Sequence, residues 1–175
     1  RRSIALLKAT EESRRESEER FRVMADAAPM LIWMSGPNKQ YTHVNKSLLE
    51  FSGRTLEQEL GNGWSDAIHP EDAKKYLKIF NQAFDARKKF MFEYRMRRHD
   101  GEYRWLLDVG VPRFTEAGEF AGYIGSRIDI TDRKNTEDSA RKIREKLHVQ
   151  ELQVIKQQRL VETQETQIQT LREVT

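Results

Sequence analysis

The chain has 175 residues, no cysteine, and 31 Lys and Arg against 28 Asp and Glu, for a net charge of +3. The absence of cysteine excludes disulfides, a thiolate nucleophile, Cys-ligated zinc or iron–sulfur and a cysteinyl–flavin photoadduct, and so slight a charge is no footprint for nucleic acid. The longest apolar run, 30–34, is strand-length and far short of the ~20 residues of a membrane span, and no signal peptide is visible.

All nine Gly and all four Pro fall between Pro29 and Gly125, and every aromatic lies between Phe21 and Tyr123. A turn-rich domain between two uninterrupted helical arms is therefore expected. Residues 1–28 read as a helix with a sparse apolar stripe of Ile4, Leu7, Phe21 and Met24, ended by Pro29. Strands follow at 30–35 and 40–45 around a turn at 36–39. A short helix at 46–51 stops at Gly53, and Thr55 caps another, with Gln58 in capping-box position. Pro70 suits the first position of a helix running to about Ala86, where Glu71 and Asp72 face the positive end of its dipole.

Three strands come next. Phe90, Phe92, Tyr94 and Met96 alternate with Met91, Glu93, Arg95 and Arg97, and Asp100-Gly101 makes a hairpin turn. Tyr103, Trp105, Leu107, Val109 and Val111 form the apolar face of the second strand. Phe120, Gly122, Ile124, Ser126, Ile128 and Ile130 line the third. The order of strands, short helices and three more strands is α+β, with an antiparallel sheet covered on one side.

Nothing breaks a helix from Thr131 to Thr175. One heptad register places Ala140, Leu147, Val154, Val161 and Ile168 at a, and Ile143, Gln150, Gln157, Gln164 and Leu171 at d. A solitary helix with so little apolar surface has no reason to persist, whereas two wound together do, so a homodimer through these helices is expected. Its interface would use Phe21, Met24, Ile143, Leu147, Val154, Val161, Ile168 and Leu171. The eight residues from Lys8 echo those from Lys134, as two linker helices would.

The string FEYRMRRHDGEYRWLLDVGVPRFTEAGEFAGYIGSRIDITDRK resembles the C-terminal motif of PAS sensor domains. Upstream, SEERFRVMADAAPMLIW, YTHVNKSLLEFSG and WSDAIHPEDAKKY resemble the leading helix, first strands and His-Pro-acid segment of the same family, so the likeness covers about residues 16–134. It implies a five-stranded antiparallel sheet of order 2-1-5-4-3, cupped on one face by short helices around a small cavity. The expected organisation is an N-terminal helical linker at 1–25, the domain at 26–131, and a C-terminal signalling coil at 132–175. It also implies a cytoplasmic, non-enzymatic module of a multidomain bacterial regulator that senses or relays. Asp129 and Thr131 match the family's D-I-T transmission motif, Thr131 as cap of the exit helix.

Cofactor chemistry is sparsely marked. Haem-binding members carry a histidine on or beside the long helix, and 73–86 has none, which argues against haem. Non-covalent flavin and other small molecules stay open, and no metal site is evident. His69 reads as a helix-start residue and His148 as a surface residue. Cavity-lining candidates are Trp64, Tyr76, Phe80, Phe92, Tyr94, Trp105, Leu107, Ile124 and Ser126, with Asn45 as a polar group. The alternative is that these side chains fill the core of a spacer that binds nothing. Glu93, Glu102, Asp108 and Glu119 read as outward residues that compose no acid–base pair. The chain beyond Thr175 would carry a downstream output domain of STAS, histidine-kinase, diguanylate-cyclase or chemoreceptor type.

Overall fold

The computed structural model describes residues 2–173; Arg1, Val174 and Thr175, which the expected end helices include, lie outside the described residues. Eleven elements follow in order: α1 (Arg2–Ala27), β1 (Leu31–Ser35), β2 (Tyr41–Val44), α2 (Lys46–Ser52), α3 (Leu56–Glu59), a 3₁₀ turn (Gly63–Ala67), α4 (Pro70–Ala86), β3 (Phe90–Arg97), β4 (Tyr103–Phe114), β5 (Phe120–Asp129) and α5 (Thr131–Glu173). Residues 1–131 and 132–175 separate into two compact units.

Local signals fix the short helices. The Asn45 side chain accepts from Leu48 N at the start of α2, and Gly53 closes that helix in the left-handed region at φ 67°. Thr55 and Gln58 form the reciprocal capping box of α3. His69 caps α4 ahead of Pro70, its Nδ1 accepting from Glu71 N. Arg95 of β3 then grips α4, its Nε and Nη2 donating to Asp72 and its backbone N–H to the same carboxylate, each at 2.9 Å.

The five strands form one antiparallel sheet of order β2-β1-β5-β4-β3. Its inner face presents Trp33, Phe90, Tyr94, Met96, Leu106 and Tyr123 to Tyr76, Phe80 and Phe84 of α4 and to Trp64 of the 3₁₀ turn, all buried. Two inward glycines make room for the largest rings. A Cβ on Gly110 would lie 2.2 Å from Phe90, and one on Gly125 would lie 2.2 Å from Trp33.

Two strand faces run opposite to expectation. On β4 the inward residues are Leu106, Asp108 and Gly110, and on β5 they are Tyr123, Gly125 and Arg127. Trp105, Leu107, Val109, Ile124, Ser126 and Ile128 therefore lie on the other face of the sheet. The reason is physical. Both faces of these strands carry large apolar side chains, so alternation alone does not choose between them, and the inward face holds a glycine and a charge on each strand. Asp108, expected outside, is fully buried.

Among the described residues of α1, Ala25 is the buried apolar one. Met24 is 74% exposed, and the Phe21 ring centroid lies 5.9 Å from that of His43 on β2. Along α5, Ile143, Leu147, Val154, Val161, Ile168 and Leu171 are all exposed. No helix among the described residues is long and apolar enough to cross a membrane.

Candidate functional site

The centre of the cup holds a fully buried ion pair. Arg127 on β5 and Asp108 on β4 stand opposite each other in the sheet register, and Arg127 Nε donates to Asp108 Oδ2 at 3.0 Å. The same oxygen accepts from the Tyr76 hydroxyl at 2.8 Å and, more distantly, from that of Tyr94 at 3.5 Å. The other, Oδ1, accepts from Trp33 Nε1 at 2.9 Å. Arg127 Nη2 donates to the Tyr41 hydroxyl oxygen, and Nη1 lies 3.8 Å from Met96 Sδ. Six elements thus meet on two charges: all five strands of the sheet, and α4 across from it.

The environment sets the charge states. Burial pushes the Tyr41, Tyr76 and Tyr94 hydroxyls well above the usual phenol range, so they act as neutral donors and acceptors. Burial works against the charge of Arg127, but its buried partners, among which the Asp108 carboxylate carries the opposite charge, outweigh it and raise its pKa well above the usual guanidinium value. Removing one partner of such a pair costs about 3–5 kcal/mol, because the other charge is left uncompensated.

Of the residues expected to line a cavity, Trp64, Tyr76, Phe80 and Tyr94 come together here, and Phe92 packs partly buried beside them. They meet as touching rings: Trp64 lies 5.7 Å from Tyr76 and 5.4 Å from Phe80, and Tyr76 lies 4.5 Å from Tyr94, between centroids. Trp105, Leu107, Ile124 and Ser126 face away from this core. Asn45 is buried but belongs to the frame: Nδ2 donates to Ala25 O at 2.7 Å and Met30 O at 2.9 Å, while Oδ1 accepts from Ile32 N and Leu48 N. A separate cleft of about 760 Å³ lies between α1 and the edge of the sheet, lined by Arg15, Glu18, Phe21, Met34, Thr42 and His43 among others. It contains none of the expected lining residues.

Asp108 was expected on the outer face and Arg127 was not singled out, yet both are buried at the centre of the cup. The available signal was their joint parity: inward placement of both puts opposite charges side by side, next to the Gly110–Gly125 pair. Glu59 is a second buried carboxylate, with Arg54 Nε 3.5 Å from its Oε1 and neither oxygen in a hydrogen bond. Nothing couples these groups to a reacting centre, and among the described residues no cluster of three His, Asp or Glu could hold a metal.

A second constellation sits where β5 ends. Asp129 Oδ1 accepts from Thr131 N and Oδ2 from Arg104 Nε, both at 2.9 Å. The Thr131 hydroxyl oxygen accepts from Trp105 N at 2.9 Å, and Ile130 N donates to Trp105 O at 2.8 Å. Thr131 is the first residue of α5, and its hydroxyl binds strand β4 where a helix cap was expected; Asp129 accepts the Thr131 N–H instead. Burial pushes Asp129 up, but the bonds from Thr131 and Arg104 outweigh it, and its pKa is lowered.

Residues 41–127 match the family model for the PAS fold. The uncharacterized protein y4lL of Sinorhizobium fredii is 41% identical over 137 residues, 78% of this chain but 17% of that protein. The peroxide stress-activated histidine kinase mak1 of Schizosaccharomyces pombe is 30% identical over 70% of this chain and 8% of its own length. The chain thus spans less than a fifth of these relatives. Among solved structures, a sensory box histidine kinase/response regulator from Burkholderia thailandensis aligns with a TM-score of 0.56 and 28% identity, over 74% of this chain and 98% of that one.

Proposed function

This chain contains a PAS domain homologous to sensor domains of signalling proteins, and from that premise we propose that it is a non-enzymatic, cytoplasmic relay module passing strain from its core into α5. The observation that carries this reading is the double tie between β4 and β5. Asp108 and Arg127 join the two strands inside the cup, and Trp105, Ile130, Asp129 and Thr131 join them again where α5 begins. A change in the core shifts the β5 backbone, and the next residues along that strand set the start of the helix.

The output is a paired helix. In the heptad register, Lys146 at g and Glu151 at the following e face each other across a parallel, in-register dimer, which favours that arrangement. On this reading residues 1–25 and 132–175 are linkers, and a histidine kinase, diguanylate cyclase, STAS domain or chemoreceptor segment receives the signal. The packed aromatic core favours a relay working through side chains already in place, and with it the spacer alternative, over one with a large organic ligand.

Single cysteines at Leu147 and Val154 test this by disulfide crosslinking in the full chain. The expected result is efficient crosslinking between copies at both sites, with the pattern altered by Thr131→Val or Asp129→Asn. A monomer at high concentration, or a pattern indifferent to both substitutions, sinks the reading.

A further inference from the structure

The guanidinium of Arg127 is enclosed on its edges and on its faces. Its Nε meets Asp108, one terminal nitrogen meets the Tyr41 hydroxyl, and the other faces the Met96 sulfur. Around its Cζ stand three aromatic rings, Tyr41 at 5.7 Å, Trp33 at 5.9 Å and Tyr94 at 5.9 Å to their centroids. Electron-rich ring faces gathered around one carboxylate make the environment that selects a planar guanidinium or an alkylated ammonium over a neutral molecule of the same size.

The cage has support independent of the side chain it holds. Asp108 is oriented by Trp33 Nε1 and the Tyr76 hydroxyl, neither of which belongs to Arg127. Trp33 stacks on Tyr41 at 5.0 Å and 4° between planes, and Tyr41 stacks on Trp64 at 5.0 Å and 13°. Gly125 lets the Trp33 indole lie against the β5 backbone, where a Cβ would collide with it. A carboxylate and rings fixed in this way form a preorganised receptor.

We propose that the core of this domain is a cation-binding site occupied from within, with Arg127 as its built-in ligand. A molecule that enters the cup from solution must replace Arg127 at Asp108, so its chemical class is a guanidine or an alkylated amine. This inference concerns what fills the core and is independent of the relay reading: its test reads occupancy and stability, not the pairing of α5.

The test is chemical rescue of Arg127→Ala in the full chain, with ethylguanidinium as the probe because it replaces the atoms removed beyond Cβ. The expected result is a large loss of Tm in the variant, recovered in a dose-dependent way by millimolar ethylguanidinium. Equimolar ethylurea and sodium chloride should not recover it, nor should ethylguanidinium rescue Arg127→Ala/Asp108→Asn. Equal recovery by ethylurea, or no recovery in a folded variant, overturns the proposal. Should Arg127→Ala fail to fold under every condition, NMR of the unaltered chain decides. Enclosure predicts that Arg127 Hε exchanges with solvent at least roughly a hundredfold more slowly than the exposed arginines and is shifted upfield by the rings. Exchange at the common rate, without that shift, refutes it.

Discussion

The two faces of the β4–β5 hairpin invert the usual division of labour. The inner face buries Asp108 and Arg127, while the outer face leaves Val111 and Ile128 more than a third exposed. Charge inside and grease outside is stable here because the charges are mutually satisfied: each oxygen of Asp108 and each terminal nitrogen of Arg127 has a partner. Whether a side chain suits the interior depends on the partners it finds there as well as on its own polarity.

That contrast can be broken first from the inside. Asp108→Ala strands Arg127 and should cost about 3–5 kcal/mol in urea unfolding, whereas Asp108→Leu/Arg127→Met removes both charges and should cost less than the single change. A double variant weaker than Asp108→Ala would show that the pair adds stability of its own. Gly125→Ala is the next most damaging change. Its methyl would sit 2.2 Å from the Trp33 ring, and the forced repacking should cost about 1–3 kcal/mol.

Acid offers a gentler probe. Hydrogen bonds from Arg95 lower the Asp72 pKa, and the bonds of Thr131 and Arg104 lower that of Asp129 against burial. With folded pKa values below the ordinary 3.8, both groups stabilise the fold above that value, and their contribution disappears as pH falls through the depressed ones. Urea midpoints should therefore drop below about pH 4, and Asp129→Asn should flatten part of that fall. The smallest effect belongs to the outer face. Ile128→Thr should change stability by no more than about 0.5 kcal/mol, and a larger loss would mean that this face is covered in solution.

Residues with one strong local preference were legible in the sequence. Gly53 and Pro70 mark helix ends through backbone geometry and the Thr55–Gln58 pair through local side-chain bonds, and β3 showed its inner face because Arg95 and Arg97 oppose Tyr94 and Met96. On β4 and β5 the inner face is set by long-range pairing, which periodicity within one strand does not contain. Asn45 shows the same gap: its residue type suits a helix cap or a pocket donor equally, and only the approach of α1 and β1 decides its partners.

Those partners make Asn45 sensitive to a change of a single atom. Its amide nitrogen faces two carbonyl oxygens, Ala25 O and Met30 O, so conversion to aspartate, by mutation or by slow deamidation, would turn two attractions into two repulsions between oxygens. The incoming helix would come loose from the first strand while every apolar contact stayed in place. Ageing of the purified protein should then show first as fraying near residue 25, ahead of any loss of the aromatic core.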